Sequence, residues 1–354
     1  MLFGAALVFW IMSLPVEAVK HSEFKSCTQS GFCRRNRALA TTIIKNGASS
    51  TWKAGEVASS DDGQVSFTLE RLSTRLKAQL TVMADDVIRF RLDPIGGEER
   101  YRIPLGDVLV STTEQGKLVA VQEEGVYKIA GSQLKLKLTS NPFSLALLSE
   151  ADNDAQLLLL NSANLLHFET GQSMVLSEIA ADLPSEDDLW TEPYFRGRLD
   201  SRPKGPNSLA LDIAFPESEV LYGIPEHASS LALKSTRSIH QQTGVLSKSD
   251  PYRLFNLDVF EYELDSTMAL YGAIPIMLGH STGAAKHHRS VGVFWNNPSE
   301  TWVDIYDSSA GTGAHKQLTH WMSESGSFEL FLMAAKDLKG LQSRIKKLTG
   351  PPQL

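Results

Sequence analysis

The stretch LKLKLTSNPFSLALL, residues 134–148, contains two runs in which apolar residues recur at every second position, on either side of Asn141 and Pro142. A period of two places apolar side chains on one face of a β-strand, and an Asn-Pro pair favours a turn. The stretch therefore predicts a β-hairpin with one buried face.

Similar patterns recur along the chain. In VIRFRL, residues 87–92, alternation places Ile88, Phe90 and Leu92 on one face of a predicted strand. AQLLLLNSANLLHFE, residues 155–169, predicts a second hairpin that turns at its asparagines. Three further apolar runs have the length of strands, at residues 210–214, 291–295 and 328–333. Many short strands and few helical periods predict an all-β, antiparallel sandwich.

The chain divides into four predicted segments. Residues 1–18 contain an apolar run followed by Val16-Glu17-Ala18, the pattern of a signal peptide cleaved after Ala18. We expect an N-terminal extension over residues 19–62, because the β pattern begins near Gly63. The sandwich is expected over residues 63–335, and a linker helix over residues 336–354.

Helical and loop segments are fewer. Leu338, Leu341, Ile345 and Leu348 share one face of the C-terminal helix, which Gly350 should end. Residues 183–206 are acidic and then rich in proline and arginine, so they predict a long surface loop. Residues 237–251 are polar and without periodicity, which predicts a flexible excursion that begins a loop over residues 237–263.

The 354-residue chain carries 34 basic and 41 acidic residues, and its formal charge of -7 argues against a nucleic-acid partner. After signal cleavage, no apolar run is long enough to span a membrane. The two cysteines, Cys27 and Cys33, predict a disulfide in the oxidising secretory pathway. A zinc site would need more ligands near them, and none are present, so no metal or other cofactor is expected.

Familiar catalytic motifs do not occur in the sequence. The glycine-rich phosphate loops and the G-x-S-x-G nucleophile elbow are both absent from it. His287 and His288 are adjacent, and adjacent residues of a strand point to opposite faces, so a solvated loop is the better interpretation than a metal site.

Residues 252–263, YRLFNLDVFEYE, combine four aromatic residues with Asn256 and the acids Asp258, Glu261 and Glu263. Aromatic rings stack on the C–H face of a pyranose, and carboxylates accept hydrogen bonds from its hydroxyls. The pattern alone nevertheless favours an ordinary strand whose acidic face is exposed to solvent. On such a strand Asp258 and Glu261 would face opposite sides, which argues against a catalytic carboxylate pair.

Six motifs occur in an order that is typical of one family. Together they resemble the glucosidase II α subunits of glycoside hydrolase family 31, and the resemblance covers nearly all of the mature chain. The motifs are KSCTQSGFCRRNR (25–37), LYGIPEHASSLALKST (221–236), PYRLFNLDVFEYEL (251–264), MALYGAIPIMLGH (268–280), VGVFWNNPSETWVDI (291–305) and HWMSESG (320–326).

The resemblance implies a galactose-mutarotase-like antiparallel β super-sandwich whose C-terminal helix leads toward a (β/α)8 barrel. Family members are retaining α-glucosidases with a nucleophile in a W-x-D-M-N-E motif of that barrel, and this motif does not occur in the sequence. The chain is therefore expected to be the N-terminal part of such an enzyme, truncated before the absent barrel. By itself, it is expected to lack the catalytic residues and to be inactive.

The family's sandwich also contributes a loop that reaches over the barrel mouth and contacts sugar hydroxyls through an aromatic-Asn-x-Asp motif. Here the matching residues are 255–258. The resemblance implies that Asp258 contacts the substrate and that Asn256 braces the loop. Phe255 or Phe260 would form a wall of the pocket.

The neighbouring motif LYGIPEH, residues 221–227, is expected to support that loop. Its Tyr222, Glu226 and His227 are interpreted as supports rather than as sugar ligands. Glu226 and His227 are also adjacent in sequence, which argues against a sugar epimerase, because that reaction needs an acid and a base on opposite sides of one pocket.

The expected function is that of a non-catalytic domain of an α-glucosidase that trims glucose from N-glycans in the endoplasmic reticulum lumen. The implied partners are a glucose-terminated oligosaccharide, the catalytic barrel and a β subunit. The alternative is a free-standing, lectin-like carbohydrate-binding protein of the secretory pathway. The two differ in one property, since a fragment should expose the apolar surface that normally meets the barrel.

Overall fold

The computed structural model describes residues 19–96, 99–110, 114–171, 187–201, 205–240, 244–282, 287–307 and 317–351. The predicted signal peptide lies outside these residues. The strands are β1 (Lys53–Ser59), β2 (Val65–Arg71), β3 (Thr74–Met83), β4 (Ile88–Pro94), β5 (Glu114–Gly116), β6 (Leu118–Ala120), β7 (Val126–Ile129), β8 (Leu134–Ser140), β9 (Phe143–Ser149), β10 (Ala155–Leu160), β11 (His167–Phe168), β12 (Tyr194–Phe195), β13 (Arg198–Leu199), β14 (Leu209–Phe215), β15 (Val220–Gly223), β16 (Arg237–His240), β17 (Gly244–Ser247), β18 (Tyr252–Leu254), β19 (Ile276–His280), β20 (Ser290–Trp295), β21 (Thr301–Asp307), β22 (Gln317–Ser323) and β23 (Phe328–Ala335). The α-helices are α1 (Gly31–Asn46), α2 (Leu105–Val108) and α3 (Leu338–Thr349).

Two large sheets contain nearly all of these strands. The nine-stranded sheet has the order β1-β2-β3-β4-β23-β20-β19-β15, with β5 paired to β3. The twelve-stranded sheet has the order β17-β16-β21-β22-β14-β10-β9-β8-β7-β6, with β11 paired to β14 and β18 to β21. Their pairings are antiparallel except for β16 with β21. The predicted antiparallel β-sandwich is confirmed.

The main core lies between the two sheets. Phe90 of the nine-stranded sheet and Phe143 of the twelve-stranded sheet stack with ring centroids 6.4 Å apart. Trp295 and Trp321 form a second stacked pair across the sheets, at 5.5 Å. All four side chains are almost completely inaccessible to water. The buried face of each strand therefore follows the period of two that the sequence predicts.

The first predicted hairpin is confirmed and the second is wrong. Strands β8 and β9 pair along their whole length. Strands β10 and β11, by contrast, do not pair with each other, because both pair with β14. Asn161 lies between them in the left-handed region, with φ of 59°. Its side chain donates to the Phe143 carbonyl oxygen and accepts from the Leu166 N–H, so the chain bends there and rejoins the same neighbour.

Three segments differ from the sequence-based expectation. Strand β1 pairs with β2, so the sandwich begins before Gly63, where alternation first becomes clear. Residues 237–251, predicted as a flexible excursion, contain the β16–β17 hairpin. Residues 183–206 contain a 3-10 helix at Asp187–Trp190 and the β12–β13 hairpin. These strands are short and hold their places by backbone pairing, which leaves little trace in side-chain patterns.

Helix α1 was not predicted, because two of the side chains it buries, Arg35 and Asn36, are polar. The predicted disulfide is present immediately before it, between Cys27 and Cys33, with an S–S distance of 2.03 Å. Both cysteines pack with Trp302 and Met322 of the twelve-stranded sheet. The helix thus covers the face of that sheet opposite the main core.

Buried ion pairs hold α1 on the sheet. Arg35 forms a bidentate ion pair with Glu169, with hydrogen bonds of 2.9 and 3.1 Å. Arg37 does the same with Asp304, at 2.8 and 2.7 Å. Burial alone would raise the pKa of Asp304, but the charges of Arg37 and Arg237 hold it below its ordinary value. Because both carboxylates are fully buried, each depends on its arginine partner.

His320 lies under α1 between two acidic neighbours. Its β22 position pairs with Asp212 of β14 on one side and with Asp304 of β21 on the other. The ring is buried, and its Nδ1 atom has no hydrogen-bond partner among the described residues. Burial lowers the pKa of His320 to about 3, so the folded protein keeps this ring neutral well below pH 6.5.

We expect this histidine to make folding stability depend on pH. Below pH 6.5, the ordinary pKa of histidine, His320 is protonated in the unfolded chain. In the folded chain it stays neutral until the pH falls to about 3. Stability should therefore fall as pH decreases through this window, by up to about 1.4 kcal/mol per pH unit. Urea unfolding from pH 7 to pH 4 should be less pH-dependent for His320→Gln than for the wild type, while the exposed-histidine variant His240→Gln should follow the wild type. Equal slopes for wild type and His320→Gln would exclude this account.

The C-terminal helix is confirmed as α3. The Asp337 side chain accepts a hydrogen bond from the Gly340 N–H at 2.7 Å and caps its start. Leu341 and Leu348 are buried, and Gly350 ends the helix with φ of 86°. Among the described residues, no helix is long and apolar enough to cross a membrane.

Candidate functional site

The aromatic and acidic stretch of residues 252–263 is a strand only at its beginning. Strand β18 ends at Leu254, and residues 255–265 form an exposed loop, called here the 255–265 loop. Phe260 and Leu264 are 82% and 83% exposed. The expectation of one long strand is therefore wrong beyond Leu254. Large apolar side chains that are this exposed and close together are typical of surfaces that meet a ligand or a partner.

Arg253 fixes the base of the loop. Its guanidinium lies over the Phe255 ring at 4.9 Å and over the Trp302 ring at 5.1 Å. Its Nε donates to Glu300 at 2.9 Å, and Trp302 donates to the same carboxylate at 2.8 Å. The planar cation is thus held between two rings and one carboxylate, which orients Phe255 at the start of the loop.

The LYGIPEH motif forms a turn beside this base. Ile224 has φ of 43°, a strained conformation for a β-branched residue, and the Pro225–Glu226 peptide is cis. The Glu226 carboxylate accepts the Gly272 N–H at 2.8 Å. The His227 Nε2 atom donates to the Arg253 carbonyl oxygen at 3.0 Å. The turn therefore contacts both the segment before the 255–265 loop and the segment after it.

Burial also determines the state of His227. It lowers the pKa of the imidazole, so the ring is neutral at physiological pH. The ring packs edge-on against Tyr252, with centroids 5.0 Å apart. A neutral, packed imidazole that is already hydrogen-bonded to backbone is suited to support.

Asp258 is exposed on the loop and lies beside Tyr271. The Tyr271 hydroxyl donates to the Val259 carbonyl oxygen at 3.1 Å, which ties the loop to the segment before β19. Partial loss of water raises the pKa of this hydroxyl, and the hydrogen bond and charge of Asp258 raise it further. The Asp258 carboxylate therefore lies next to an aromatic side chain.

The remaining residues of the loop have different surroundings. Asn256 is exposed and makes no side-chain hydrogen bond to the described part of the chain, so Tyr271 and the 223–227 turn do the bracing that the sequence assigned to it. Glu263 pairs with His21 of the N-terminal segment at 3.2 Å. Glu261 has φ of 56°, so the strand argument about its direction relative to Asp258 does not apply. Tyr271 was missed, although it stands as an aromatic residue at the end of an apolar run.

The two adjacent histidines do not form a metal site with the residues that the structure describes, where no group of three suitable ligands occurs. Both are anchored to Asp152: its carboxylate accepts the backbone N–H groups of His287 and His288, each at 3.0 Å. Ser149, at the end of β9, contacts the His288 ring at 2.7 Å. The pair therefore lies in a loop that joins one end of the two sheets, and the His287 side chain is 59% exposed there, as the solvated-loop interpretation expects.

The sequence and the structure have close counterparts. Residues 77–304 match the family described as the glycosyl hydrolase 31 N-terminal galactose mutarotase-like domain. The chain is 33% identical over 383 residues to neutral alpha-glucosidase AB of Homo sapiens, with 95% of this chain covered. It is 31% identical to the glucosidase 2 subunit alpha of Schizosaccharomyces pombe, with 100% covered. It spans only 38% and 39% of those two relatives.

Solved structures of glucosidase II are also similar to this chain. A crystal structure of a glucosidase II alpha subunit bound to DNJ superposes with a TM-score of 0.76 at 32% identity, covering 94% of this chain and 38% of that one. A heterodimeric ER glucosidase II complex, made of the catalytic subunit and the binding domain of the regulatory subunit, gives 0.74 and covers 92% and 37%. A Flavobacterium johnsoniae GH31 dextranase, at 14% identity and a TM-score of 0.54, shares the fold.

Proposed function

We propose that this chain, which belongs to the family of glycosyl hydrolase 31 N-terminal galactose mutarotase-like domains, serves a glucosidase II-type α-glucosidase as its substrate-contacting domain. In this role the chain holds the glucose end of an N-glycan in the endoplasmic reticulum lumen and does not cleave it. The observation that carries the proposal is the 255–265 loop, which exposes Phe260 and Asp258 together while its base is fixed.

The loop has the chemistry that a glucose end requires. Phe255 and Phe260 offer ring faces to the C–H surface of a pyranose, and Asp258 offers a charged acceptor to its hydroxyls. Asn256 is exposed beside them and supplies an amide that can donate and accept. Solved glucosidase II alpha subunits carry Glc1Man2 or alpha3-Glc2, which motivates an α-1,3-linked glucose disaccharide as the ligand to test.

The loop is not assigned the pair of carboxylates that bond cleavage requires. A retaining hydrolase needs two carboxyl groups about 5 Å apart on either side of the glycosidic bond. Glu263 contacts His21 at 3.2 Å, and Asp258 lies beside Tyr271. We therefore infer that the catalytic carboxylates come from another domain, and that an α-glucosidase barrel and a regulatory subunit are the protein partners.

A chimera tests the proposal. This chain, which matches the Schizosaccharomyces pombe subunit along 100% of its own length, would replace the matching region of that subunit. We expect the chimera to hydrolyse nitrophenyl α-glucoside and the chain alone to leave it intact. Hydrolysis by the chain alone at the rate of the relative would contradict the non-catalytic role. Sugar binding by a monodisperse chain, together with an inactive chimera, would favour the lectin-like alternative.

A further inference from the structure

A cleft of about 500 Å³ opens behind the 255–265 loop. One wall is the disulfide-linked N-terminal segment, residues 21–29, and the other is formed by residues 250–257 and 266–269, with Trp302 also lining the cleft. Leu257 lines it, whereas the neighbouring Asp258 does not. The volume lies within the range of ordinary ligand sites.

The cations of the cleft already have partners in the protein. Lys25 contacts Asp200, and Arg253 pairs with Glu300 at 2.9 Å. The His21 Nε2 atom lies 3.2 Å from Glu263. An anionic ligand would have to compete with these carboxylates, which lowers the gain from binding it. The charge arrangement therefore favours a neutral ligand.

The cleft is rich in small polar groups. Four hydroxyl side chains line it, with the Gln29 amide and the carboxylate of Asp250. Asp250 Oδ2 accepts the Cys27 N–H at 3.2 Å, and among the described residues no donor is bonded to its second oxygen, which can therefore accept from a ligand. Burial is the main cause of the raised pKa of Asp250, which indicates a dry position where a hydrogen bond has more effect.

Aromatic and apolar side chains complete the lining. Phe24 is half-buried in the N-terminal wall, Met268 lies in the opposite wall, and Trp302 shows only a small part of its surface. A ligand that suits this cleft must offer many hydroxyls to the polar groups and C–H surfaces to the rings. Neutral sugars have both properties.

We propose that this cleft, between the N-terminal segment and the base of the 255–265 loop, is a second carbohydrate site that binds a neutral oligosaccharide independently of Asp258. The disulfide-linked segment forms one wall, so the site exists only when that segment is folded onto the sandwich. The site extends the contact with a glycan beyond the glucose end assigned to the loop.

Two variants of the chain test the cleft. Thr28→Trp fills it from an exposed position, and Asp250→Asn removes the charged acceptor while keeping its shape. The probe is the Glc1Man2 trisaccharide, followed by calorimetry and by saturation-transfer NMR. We expect binding to weaken by about tenfold or more in each variant, because Thr28→Trp occupies the space of the ligand and Asp250→Asn loses a hydrogen bond to a charged group. Thr139→Trp, at an exposed position of β8, should bind as the wild type does.

The outcomes separate this proposal from the function of the loop. Binding that survives Thr28→Trp and is lost in Asp258→Asn would overturn the cleft and leave the loop. The reverse pattern would support the cleft and contradict the loop. Tighter binding of glucose 6-phosphate than of Glc1Man2, lost in Thr28→Trp, would overturn the neutral-ligand assignment. No binding of either probe to the wild-type chain would overturn the proposal.

Discussion

Replacing Asp258 with asparagine is expected to lower kcat/KM of the chimera by about 10- to 100-fold for an α-1,3-linked glucose disaccharide. The substitution keeps the shape of the side chain but removes a charged acceptor, and a hydrogen bond to a charged group contributes about 1.5–3 kcal/mol. The carboxylate is exposed and its aromatic surroundings are held by Tyr271, so the fold should not change. The effect should therefore appear in steady-state kinetics with an unchanged melting temperature.

The control is Glu261→Gln in the same loop. This variant removes the same charge three residues away, from another exposed side chain. Its kcat/KM should equal that of the unmodified chimera within about twofold, since the sugar is neutral and Glu261 is not among the residues assigned to contact it. Equal losses in the two variants would show that the loop acts through its net charge alone, and the specific role of Asp258 would then be wrong.

Replacing Arg37 with methionine is expected to lower the free energy of unfolding by about 3–5 kcal/mol. Its guanidinium donates to both oxygens of Asp304, whose side chain is fully buried. After the substitution, Asp304 would keep the Thr236 hydroxyl at 2.7 Å and Arg237 at 3.9 Å. A buried carboxylate that has lost its main cation is destabilising, and urea unfolding measures the change.

Two further variants show whether the burial of Asp304 causes the loss of stability in Arg37→Met. Arg75→Met breaks the Arg75–Glu70 pair, which has the same 2.8 Å contact but is half-exposed, so it should cost less than about 1 kcal/mol. Adding Asp304→Asn to Arg37→Met should recover part of the loss, because the unpaired charge is removed. A loss for Arg37→Met no larger than that for Arg75→Met would rule out the buried pair as the main attachment of α1.

Helix α1 illustrates where the sequence misleads. A helical face is recognised by apolar residues at regular spacing, and α3 was predicted in this way. Helix α1 also buries Arg35 and Asn36 together with its apolar residues. Arginine and asparagine are usually exposed to solvent, but here Glu169 and the face of the sheet bury them. Their partners on the sheet, Glu169 and Ser208, lie more than one hundred residues away, so local pattern could not reveal them.

The candidate site also combines residues that the sequence predicted with contacts that it did not reveal. The resemblance to the family selected Asp258, with Phe255 or Phe260 as a wall of the pocket, because residues 255–258 match its aromatic-Asn-x-Asp motif, whereas the pattern of the stretch alone favoured an ordinary strand. The sequence did not reveal the brace from Tyr271, the position of Arg253 between two rings, or the cleft next to them. Each of these depends on which distant strands lie side by side.

The sequence by itself determined the β class, the C-terminal helix, the disulfide and the family, because these follow from local alternation, spacing and ordered motifs. Only the tertiary structure decided that β10 and β11 share β14 as their neighbour, that α1 covers the outer face of the twelve-stranded sheet, and that His320 is kept neutral beneath it. The physical reason is that burial and electrostatics depend on what surrounds a side chain in space, and long-range pairing sets those surroundings.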